Sequence, residues 1–256
     1  MKDQQIPDVT VADRFRFTWG IARSLWIYYR PGRRRRMDRF YSRFVRPGDL
    51  AFDIGAHVGD RTGAFSRLGC RVIAVEPQPP LVALLRGFYG RSAGVRIEPV
   101  AIAAAPGTLE LLINSANPTL TTASPAFVGA AGNAKGWRNE RWGHRLRVPA
   151  VTLDQLIERH GEPSFLKLDV EGFEAEALAG LSRPVQALSF EFTTIERGIA
   201  SRCLARCCEL GPYRFNAALG EIHRLGFAEW VDAEEIAHWL EALPDSANSG
   251  DIYARL

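Results

Sequence analysis

The sequence predicts an α/β domain in which helices cover both faces of a mostly parallel sheet, preceded by a helical N-terminal arm. After Gly48, short apolar runs alternate with amphipathic stretches, and a glycine-containing turn directly follows the first of these runs. The chain has 256 residues, of which 46% are apolar and 24% are charged. These proportions suit one soluble domain with an appendage, and they exclude disordered, collagen-like and small disulfide-bonded proteins.

The apolar runs after Gly48 predict the order of the strands. Five of them are expected to form the parallel part of the sheet, at residues 50–55, 71–77, 95–102, 165–170 and 185–192. Two further runs, 213–220 and 251–256, are joined by a connection that contains the helical sequence AEEIAHWLEAL. This ending predicts a sheet closed by an antiparallel edge.

An insertion departs from the simple alternation. An additional strand is expected at residues 108–114, and residues 115–143 form a loop rich in Gly, Asn, Ser and Thr. The loop contains Trp137 and Trp142, with Arg138, Arg141 and His144 nearby. It is either a mobile cover over a bound molecule or a surface insertion whose tryptophans pack on the sheet edge.

The N-terminal arm, residues 1–47, differs from the predicted domain at 48–256 in charge. Residues 1–50 carry eleven Arg and one Lys against five Asp and sum to +7, whereas the whole chain is +3. An amphipathic helix is predicted from residues at spacings of three and four: Phe15, Trp19, Ala22, Trp26 and Tyr29. Pro31–Gly32 interrupts this pattern, and a second, arginine-rich helix follows.

The arm admits three interpretations. It is a cap helix with its aromatic face on the domain and its arginines outward, an interfacial helix on an anionic membrane, or a nucleic-acid contact. The third is disfavoured because residues 51–256 show no basic or aromatic-interleaved pattern. No nucleic-acid partner is therefore expected.

The cysteines and the first residues of the chain indicate the cellular compartment of the protein. The four cysteines are Cys70, Cys203, Cys207 and Cys208, and the adjacent last two cannot readily bridge each other. The first residues lack the apolar core of a secretion signal, and no apolar run is long enough to span a bilayer. A cytoplasmic location is expected.

The most informative segment is the turn after the first strand, Asp53-Ile54-Gly55-Ala56-His57-Val58-Gly59. Glycines permit a sharp turn and a close approach of backbone to ligand, and the following helix offers unpaired N–H groups. The dinucleotide pattern G-x-G-x-x-G is absent, because His57 occupies the second glycine position. The Asp53 carboxylate would repel a pyrophosphate but would attract the ammonium group of S-adenosylmethionine. The alternative is an ordinary strand–turn–helix corner.

Two later strand ends are expected at the same crevice. Glu76, followed by Pro77, ends the second strand, and its two carboxylate oxygens suit the two hydroxyls of a ribose. Val100 and Ala101 end the third strand and would suit one face of an adenine, although plain core is an equal alternative. The expected cofactor-binding residues are Asp53, Gly55, Ala56, His57, Gly59, Glu76, Pro77, Val100, Ala101 and Asp169.

Acidic residues follow the fourth and fifth strands. Asp169 and Glu171 flank the carboxyl end of a central strand, and Glu191 ends the next one. They could accept a proton, hold a divalent cation or order a loop, and Glu171 could instead favour the start of the following helix. We take Asp169, Glu171, Glu191 and His57 as the catalytic candidates. The five histidines show no zinc-binding spacing, and no metal site is indicated.

These motifs together resemble one family. The ordered segments DIGAHVG, VEP, VTLDQL, FLKLDVEGFE and SFEFT, over about residues 48–195, are similar to the FkbM family of S-adenosylmethionine-dependent methyltransferases. The resemblance implies a Rossmann-like, seven-stranded class I methyltransferase fold and methyl transfer to a hydroxyl of a natural product or sugar. It places Asp53, Gly55 and Gly59 at the methionine end, Glu76 at the ribose and Asp169 at the transfer cavity. His57 stands where many relatives have Asn or another small polar residue.

Two other functions stay open at this point. An NAD(P)-dependent oxidoreductase would share the fold and the acid after the second strand, but it predicts the absent G-x-G-x-x-G pattern. A catalytically inactive nucleotide-binding protein could dispense with Asp169 and Glu171, both of which are present. The expected partner is a small-molecule or sugar acceptor. Peripheral membrane contact through the arm and homo-oligomerisation are left open.

Overall fold

A computed structural model describes residues 11–30, 32–134, 137 and 139–256. The inference from the chain start concerns residues 1–10, and the predicted helix break includes Pro31. Both lie outside the described residues, as does Arg138 of the insertion.

The described residues form strands and helices that alternate after the arm. The strands are β1 (Leu50–Ile54), β2 (Arg71–Val75), β3 (Val95–Glu98), β4 (Ala101–Ile102), β5 (Gly107–Ile113), β6 (His144–Val151), β7 (Phe165–Leu168), β8 (Ala187–Thr193), β9 (Arg214–Leu219) and β10 (Ser249–Arg255). The helices are α1 (Val11–Tyr28), α2 (Arg33–Tyr41), α3 (Asp60–Arg67), α4 (Pro79–Tyr89), α5 (Pro125–Asn133), α6 (Leu153–His160), α7 (Glu174–Leu178), α8 (Arg197–Leu210) and α9 (Ala233–Ala242). Short 3₁₀ helices lie at Pro118–Leu120 and Asp245–Ala247.

The main sheet has seven strands in the order β3-β2-β1-β7-β8-β10-β9. Strands β3, β2, β1, β7 and β8 pair in parallel, and β10 pairs antiparallel with both β8 and β9. The predicted antiparallel edge is therefore confirmed, as is the Rossmann-like seven-stranded fold. Strand β1 lies inside the sheet between β2 and β7, and all five of its residues are buried. The carboxyl ends of β1, β2 and β7 consequently meet at one edge of the sheet.

A second, three-stranded sheet corrects one prediction and confirms another. The single strand expected at 95–102 is divided into β3 and β4, because Pro99 between them has no N–H to donate to a ladder. Strand β4 pairs in parallel with β6, and the predicted strand at 108–114 forms β5, antiparallel to β6. Strand β6 was not predicted, although its exposed Arg145 and Arg147 alternate with buried Leu146 and Val148.

The insertion at 115–143 contains regular structure rather than a plain loop. It includes the 3₁₀ helix Pro118–Leu120 and helix α5. Helix α5 begins where it does because the Ser124 hydroxyl accepts the N–H of Phe127 and Pro125 occupies the first helical position.

The two predicted helices of the arm are present as α1 and α2. Helix α2 buries Met37, Phe40 and Tyr41 against the main sheet and α3. Helix α1 packs through Phe17, which is buried against the second sheet, and through small residues. Gly20 lies against Pro118, where an added Cβ would come within 2.5 Å of Cδ, and the Ser24 hydroxyl lies 3.5 Å from that of Thr119.

The cap-helix interpretation is only partly met, because the arginines Arg16, Arg23 and Arg30 are exposed as expected but three aromatic residues of the predicted stripe are exposed as well. Phe15, Trp19 and Trp26 are 73%, 74% and 67% exposed, and Ala22 on the same stripe is exposed too. Phe17 and the small residues of α1 face the domain, so the stripe of Phe15, Trp19 and Trp26 points outward. Within the part of the chain that the structure describes, no helix combines the length and apolar character needed to cross a bilayer.

Candidate active site

A cleft opens at the carboxyl edge of β1, β2 and β7. Its other walls come from the end of α1 and from the insertion. The structure brings ten of the expected residues to this cleft: Asp53, Gly55, Ala56, His57, Glu76, Pro77, Val100, Ala101, Asp169 and Glu171. Gly59 and Glu191 do not line it.

Gly55, directly after β1, lies in the cleft against the backbone of Asp169, directly after β7. Its φ is 80°, and a Cβ built there would lie 1.7 Å from the carbonyl oxygen of Asp169. Only glycine fits such a close approach of backbone to backbone. Gly59, with a φ of 81°, is instead the residue before α3, where it packs on Leu85 and Tyr89. Its place in the turn is structural.

Glu76 is buried at the end of β2, with 3% of its surface exposed. One carboxylate oxygen accepts the N–H of His57 at 3.0 Å, and the other accepts the N–H of Gln78 at 2.8 Å. Burial raises the pKa of Glu76 to about 7, against the lowering effect of these hydrogen bonds. Each oxygen retains a lone pair for a ligand hydroxyl.

Asp53 is buried beside Glu76 and accepts the Thr62 hydroxyl at 2.5 Å. Burial raises the pKa of Asp53 to about 6, so the side chain is mostly ionised at neutral pH. A cationic ligand group at this end of the cleft would stabilise the carboxylate.

His57 lies in the left-handed region, with a φ of 48°. His, Asn and Asp adopt this conformation more readily than other residues with a side chain. The imidazole faces Tyr28 edge-on, and burial lowers its pKa to about 4. His57 is therefore a neutral side chain at physiological pH.

The opposite wall combines an apolar surface with two unpaired oxygens. Val100 and Ala101 stand beside apolar residues of β4, β5 and the insertion. Gln78 Oε1 and Thr121 Oγ1 also face this region, and among the described residues neither buried oxygen has a hydrogen-bond partner. Buried unpaired acceptors are costly, so this wall fits a ligand with hydrogen-bond donors on a flat apolar ring, as adenine has.

Three carboxylates converge at the edge of the cleft, and two of them, those of Asp169 and Glu171, line it. Oxygens of Asp169, Glu171 and Glu191 all lie within 4.8 Å of one another. Glu191 reaches this group from β8, where it also lines a neighbouring cavity of about 190 Å³. Burial and mutual repulsion raise the pKa of Glu171 and Glu191 well above the usual range. Such a group can hold protons or a divalent cation.

Asp169 behaves differently from its two neighbours because of Lys167. Burial opposes its ionisation, but the Lys167 ammonium 2.7 Å away, together with Arg61, lowers the pKa of Asp169 below its usual value. Lys167 is 1% exposed and also lies 3.7 Å from Asp251. Sequence reasoning did not assign this lysine, although a charged residue in an otherwise apolar strand was its signal.

The helix-start alternative for Glu171 is not what the structure shows. Helix α7 begins at Glu174, and Glu171 lies before it with a φ of 54°. It is the Glu174 carboxylate that accepts the N–H groups of Val170 and Gly172. Glu174 thus orders the turn and leaves Glu171 in the cleft wall.

Residues of the arm and of α3 also line the cleft. They were not predicted from the sequence. Tyr28 lines the cleft from α1, next to Asp60 and Arg61. Arg61 donates to Asp60 at 2.8 Å and to Glu221 at 2.6 Å. Arg33 of α2 also binds Glu221, at 2.7 Å. No local sequence pattern predicts these contacts, because they connect segments that are far apart in the chain.

The tryptophans of the insertion do not face the cleft. Trp137 and Trp142 pack edge-on against Phe127 of α5, and Trp142 Nε1 donates to the carbonyl of Leu120 at 2.7 Å. The nearby His144 lies 3.2 Å from Asp13 of α1. Instead, the insertion contributes Pro118, Thr119, Thr121 and Ala123 to the wall.

Solved structures show limited likeness to this chain. A TehB-like methyltransferase from Corynebacterium glutamicum has a TM-score of 0.46 at 12% identity, covering 95% of this chain and 97% of that one. An O-methyltransferase from Bacillus cereus gives 0.45 at 12%, covering 98% and 92%. A precorrin-6y C5,15-methyltransferase from Geobacter metallireducens gives 0.43 at 11%, covering 85% of each. These values are too low to carry any residue role or substrate across.

The family comparison is decisive. No curated protein gives a significant match. The family described as the methyltransferase FkbM domain, however, matches residues 53–245, which include the glycine turn, the acid cluster and most of the main sheet. This favours methyl transfer over the oxidoreductase alternative. The chain belongs to the FkbM family of S-adenosylmethionine-dependent methyltransferases.

Proposed function

We propose that this protein methylates a hydroxyl group on a small-molecule natural product or a sugar. The observation that carries the proposal is the convergence of Asp169 and Glu171, in the cleft wall, with Glu191 from β8. An acceptor hydroxyl must lose its proton as it attacks, and a cluster of carboxylates is suited to taking it.

The rest of the cleft fits the cofactor of the family. Asp53 and the turn at Gly55 would receive the charged methionine end, and Glu76 would accept the ribose hydroxyls. Val100 and Ala101 would contact adenine, with Gln78 Oε1 or Thr121 Oγ1 accepting its amino group. When bound, S-adenosylmethionine supplies a methyl carbon that is already electrophilic, because the carbon is attached to a sulfonium.

The protein's part in the reaction is alignment and proton removal. Asp53, Gly55 and Glu76 would hold the cofactor for transfer of its methyl group to the acceptor oxygen. The hydroxyl proton passes to a carboxylate of the cluster. Glu171 and Glu191, with their raised pKa, are stronger bases when ionised than Asp169, which Lys167 holds in its charged form.

A divalent cation is the second way in which this cluster could act. Three carboxylates can coordinate Mg²⁺ or Ca²⁺, and a bound cation would lower the pKa of an acceptor hydroxyl. The same three carboxylates would serve for direct proton removal and for cation binding. The reaction assay below therefore includes a chelator to distinguish the two.

We further propose that the enzyme acts in the cytoplasm and not on nucleic acid. All four cysteines are free thiols, as expected for a reducing compartment. The cleft contains both acidic and apolar walls, which suit a small acceptor better than a phosphate backbone.

Two measurements test the proposal. Calorimetry with S-adenosylhomocysteine, NAD and NADP should show binding of the first alone. S-adenosylmethionine carrying a labelled methyl group is then incubated with sugars, nucleotide sugars and hydroxylated natural products, with and without chelator. Label should appear as an O-methyl group in at least one acceptor. Binding without transfer to any acceptor would favour the catalytically inactive alternative, and N- or C-methylated products would overturn the hydroxyl assignment.

A further inference from the structure

Helix α1 carries an exposed aromatic stripe that the catalytic cleft does not use. The stripe consists of Phe15, Trp19, Ala22 and Trp26, at successive spacings of four, three and four residues. The three aromatic members are about 70% exposed, and neither tryptophan lines the cleft. Large aromatic side chains on one open helix face are unusual for a surface that meets only water.

Arginines border the stripe. Arg23 is one helical turn from both Trp19 and Trp26, and the Arg30 guanidinium lies 3.9 Å from the ring centre of Trp26. Both arginines are exposed. The single acidic residue of α1 is Asp13, which contacts Arg16 and His144. Beyond α1, the exposed arginines continue into α2 at positions 34, 35, 36 and 39.

The stripe is held outward by the opposite face of the helix. That face is fixed by Gly20 against Pro118 and by Ser24 beside Thr119. Just after the helix, the Tyr29 hydroxyl donates to the carbonyl of Val58 at 3.0 Å, in the turn that follows β1. The aromatic rings therefore cannot turn inward without breaking the contacts that join α1 to the cleft.

We propose that the stripe is a membrane-binding surface that lies in the interface of an anionic lipid bilayer. Trp and Phe rings prefer the boundary between headgroups and acyl chains, and Arg beside them is attracted to anionic headgroups. A second copy of the chain fits less well, because a symmetric contact would bring the two sets of arginines together. Helix α1 would thus both meet the bilayer and supply Tyr28 to the cleft.

Vesicle co-sedimentation of the full chain tests this surface. We expect binding to phosphatidylcholine vesicles containing about 30% phosphatidylglycerol, and binding at least about tenfold weaker to phosphatidylcholine alone. The double variant Trp19→Ala/Trp26→Ala should lose about tenfold or more in affinity for the anionic vesicles. Arg23→Gln/Arg30→Gln should lose a similar amount and become less sensitive to salt.

A charge-matched control separates this surface from general attraction. Arg71→Gln/Arg183→Gln removes two exposed arginines of the body and should bind anionic vesicles as the unmodified protein does. Circular dichroism melting checks that every variant folds. An unmodified protein that fails to bind, or equal losses in the two arginine pairs, would overturn the proposal. So would a dimer in light scattering that Trp19→Ala/Trp26→Ala abolishes, because the stripe would then be a contact between copies.

Discussion

Lys167 Nζ lies 2.7 Å from Asp169 Oδ2, and the two residues are on the same side of β7 as it enters the cleft. The lysine is nearly fully buried, whereas 26% of the aspartate side chain remains exposed. This pair favours the charged form of Asp169, whereas burial and repulsion from nearby carboxylates raise the pKa of Glu171 and Glu191. Neighbouring carboxyl groups with pKa values shifted in opposite directions are a common sign of divided roles in catalysis.

Asp169→Asn should lower turnover by about 10²-fold or more, because it removes a charge that positions or deprotonates the acceptor. The fold should survive, because Asn is close in size to Asp. Lys167 would also retain Asp251, 3.7 Å away, as an ion-pair partner. Turnover with labelled S-adenosylmethionine measures the effect. Glu162→Gln, at an exposed acid, is the matched control.

Comparison with the chelator identifies the role of Asp169. If a chelator reduces the unmodified enzyme to the level of the variant, and excess Mg²⁺ restores it, the cluster acts through a cation. If the chelator has no effect, the carboxylates act directly. An Asp169→Asn enzyme of unchanged rate would remove Asp169 from catalysis altogether.

Glu76→Gln should weaken S-adenosylhomocysteine binding by about 1–3 kcal/mol, since a charged acceptor for the ribose hydroxyls is lost. The unmodified protein should also bind more tightly as pH rises through about 7. Burial raises the pKa of Glu76 to about this value, so the carboxylate becomes a full acceptor only above it. Calorimetry at pH 6.5 and 8 measures both effects.

Two controls make the Glu76 result specific. Glu110→Gln, at a partly exposed residue of β5 outside the cleft, should leave affinity unchanged. The pH dependence between 6.5 and 8 should disappear in Glu76→Gln. If it persisted there, another group, such as Asp53 with its pKa of about 6, would be responsible.

Gly55→Ala should destabilise the protein by ~3 kcal/mol or more, because its Cβ would meet the Asp169 carbonyl oxygen in a backbone that is already left-handed. Thermal unfolding measures the loss. Gly129→Ala is the control, since Gly129 is in helix α5 and has no atom within 4 Å of an added Cβ. A Gly55→Ala protein as stable as the control would show that β1 and β7 separate easily.

The sequence predicts those features that depend on local pattern. Apolar runs predict β1, β2, β7 and β8, and parallel pairing alone then places Asp53, Glu76 and Asp169 at one edge. The acid cluster follows from the same rule.

Features that depend on contacts between distant segments could not be predicted. The aromatic pattern of α1 indicated a helix, but which face packs is set by Gly20 against Pro118. Tyr28 and Arg61 line the cleft because α1 and α3 meet there. Strand β6 was not predicted, because the alternating pattern of one short strand is hard to distinguish when it directly follows a long polar segment.

For the insertion at 115–143, the sequence leaves open a mobile cover or a surface insertion, and hydrogen exchange can distinguish the two. Its wall residues, 118–123, are held by the pairing of Thr122 with Leu112 and by the Trp142 indole. Thr121 Oγ1 in this stretch lacks a partner among the described residues. We therefore expect amide hydrogen exchange at 118–123 to slow when S-adenosylhomocysteine binds, because the ligand would supply the missing contact.

Helix α5 and strand β10 provide the internal comparison for this exchange experiment. Helix α5 packs on the tryptophans rather than on the cleft, and β10 lies in the core of the sheet, so their amides should be unaffected by ligand. A further slowing at 118–123 when an acceptor is added would indicate that the insertion covers the acceptor as well as the cofactor. Strong protection at 118–123 in the free protein, unaltered by either ligand, would mean that the insertion is fixed scaffold and that acceptor specificity is set by other walls, such as Tyr28 and Arg61.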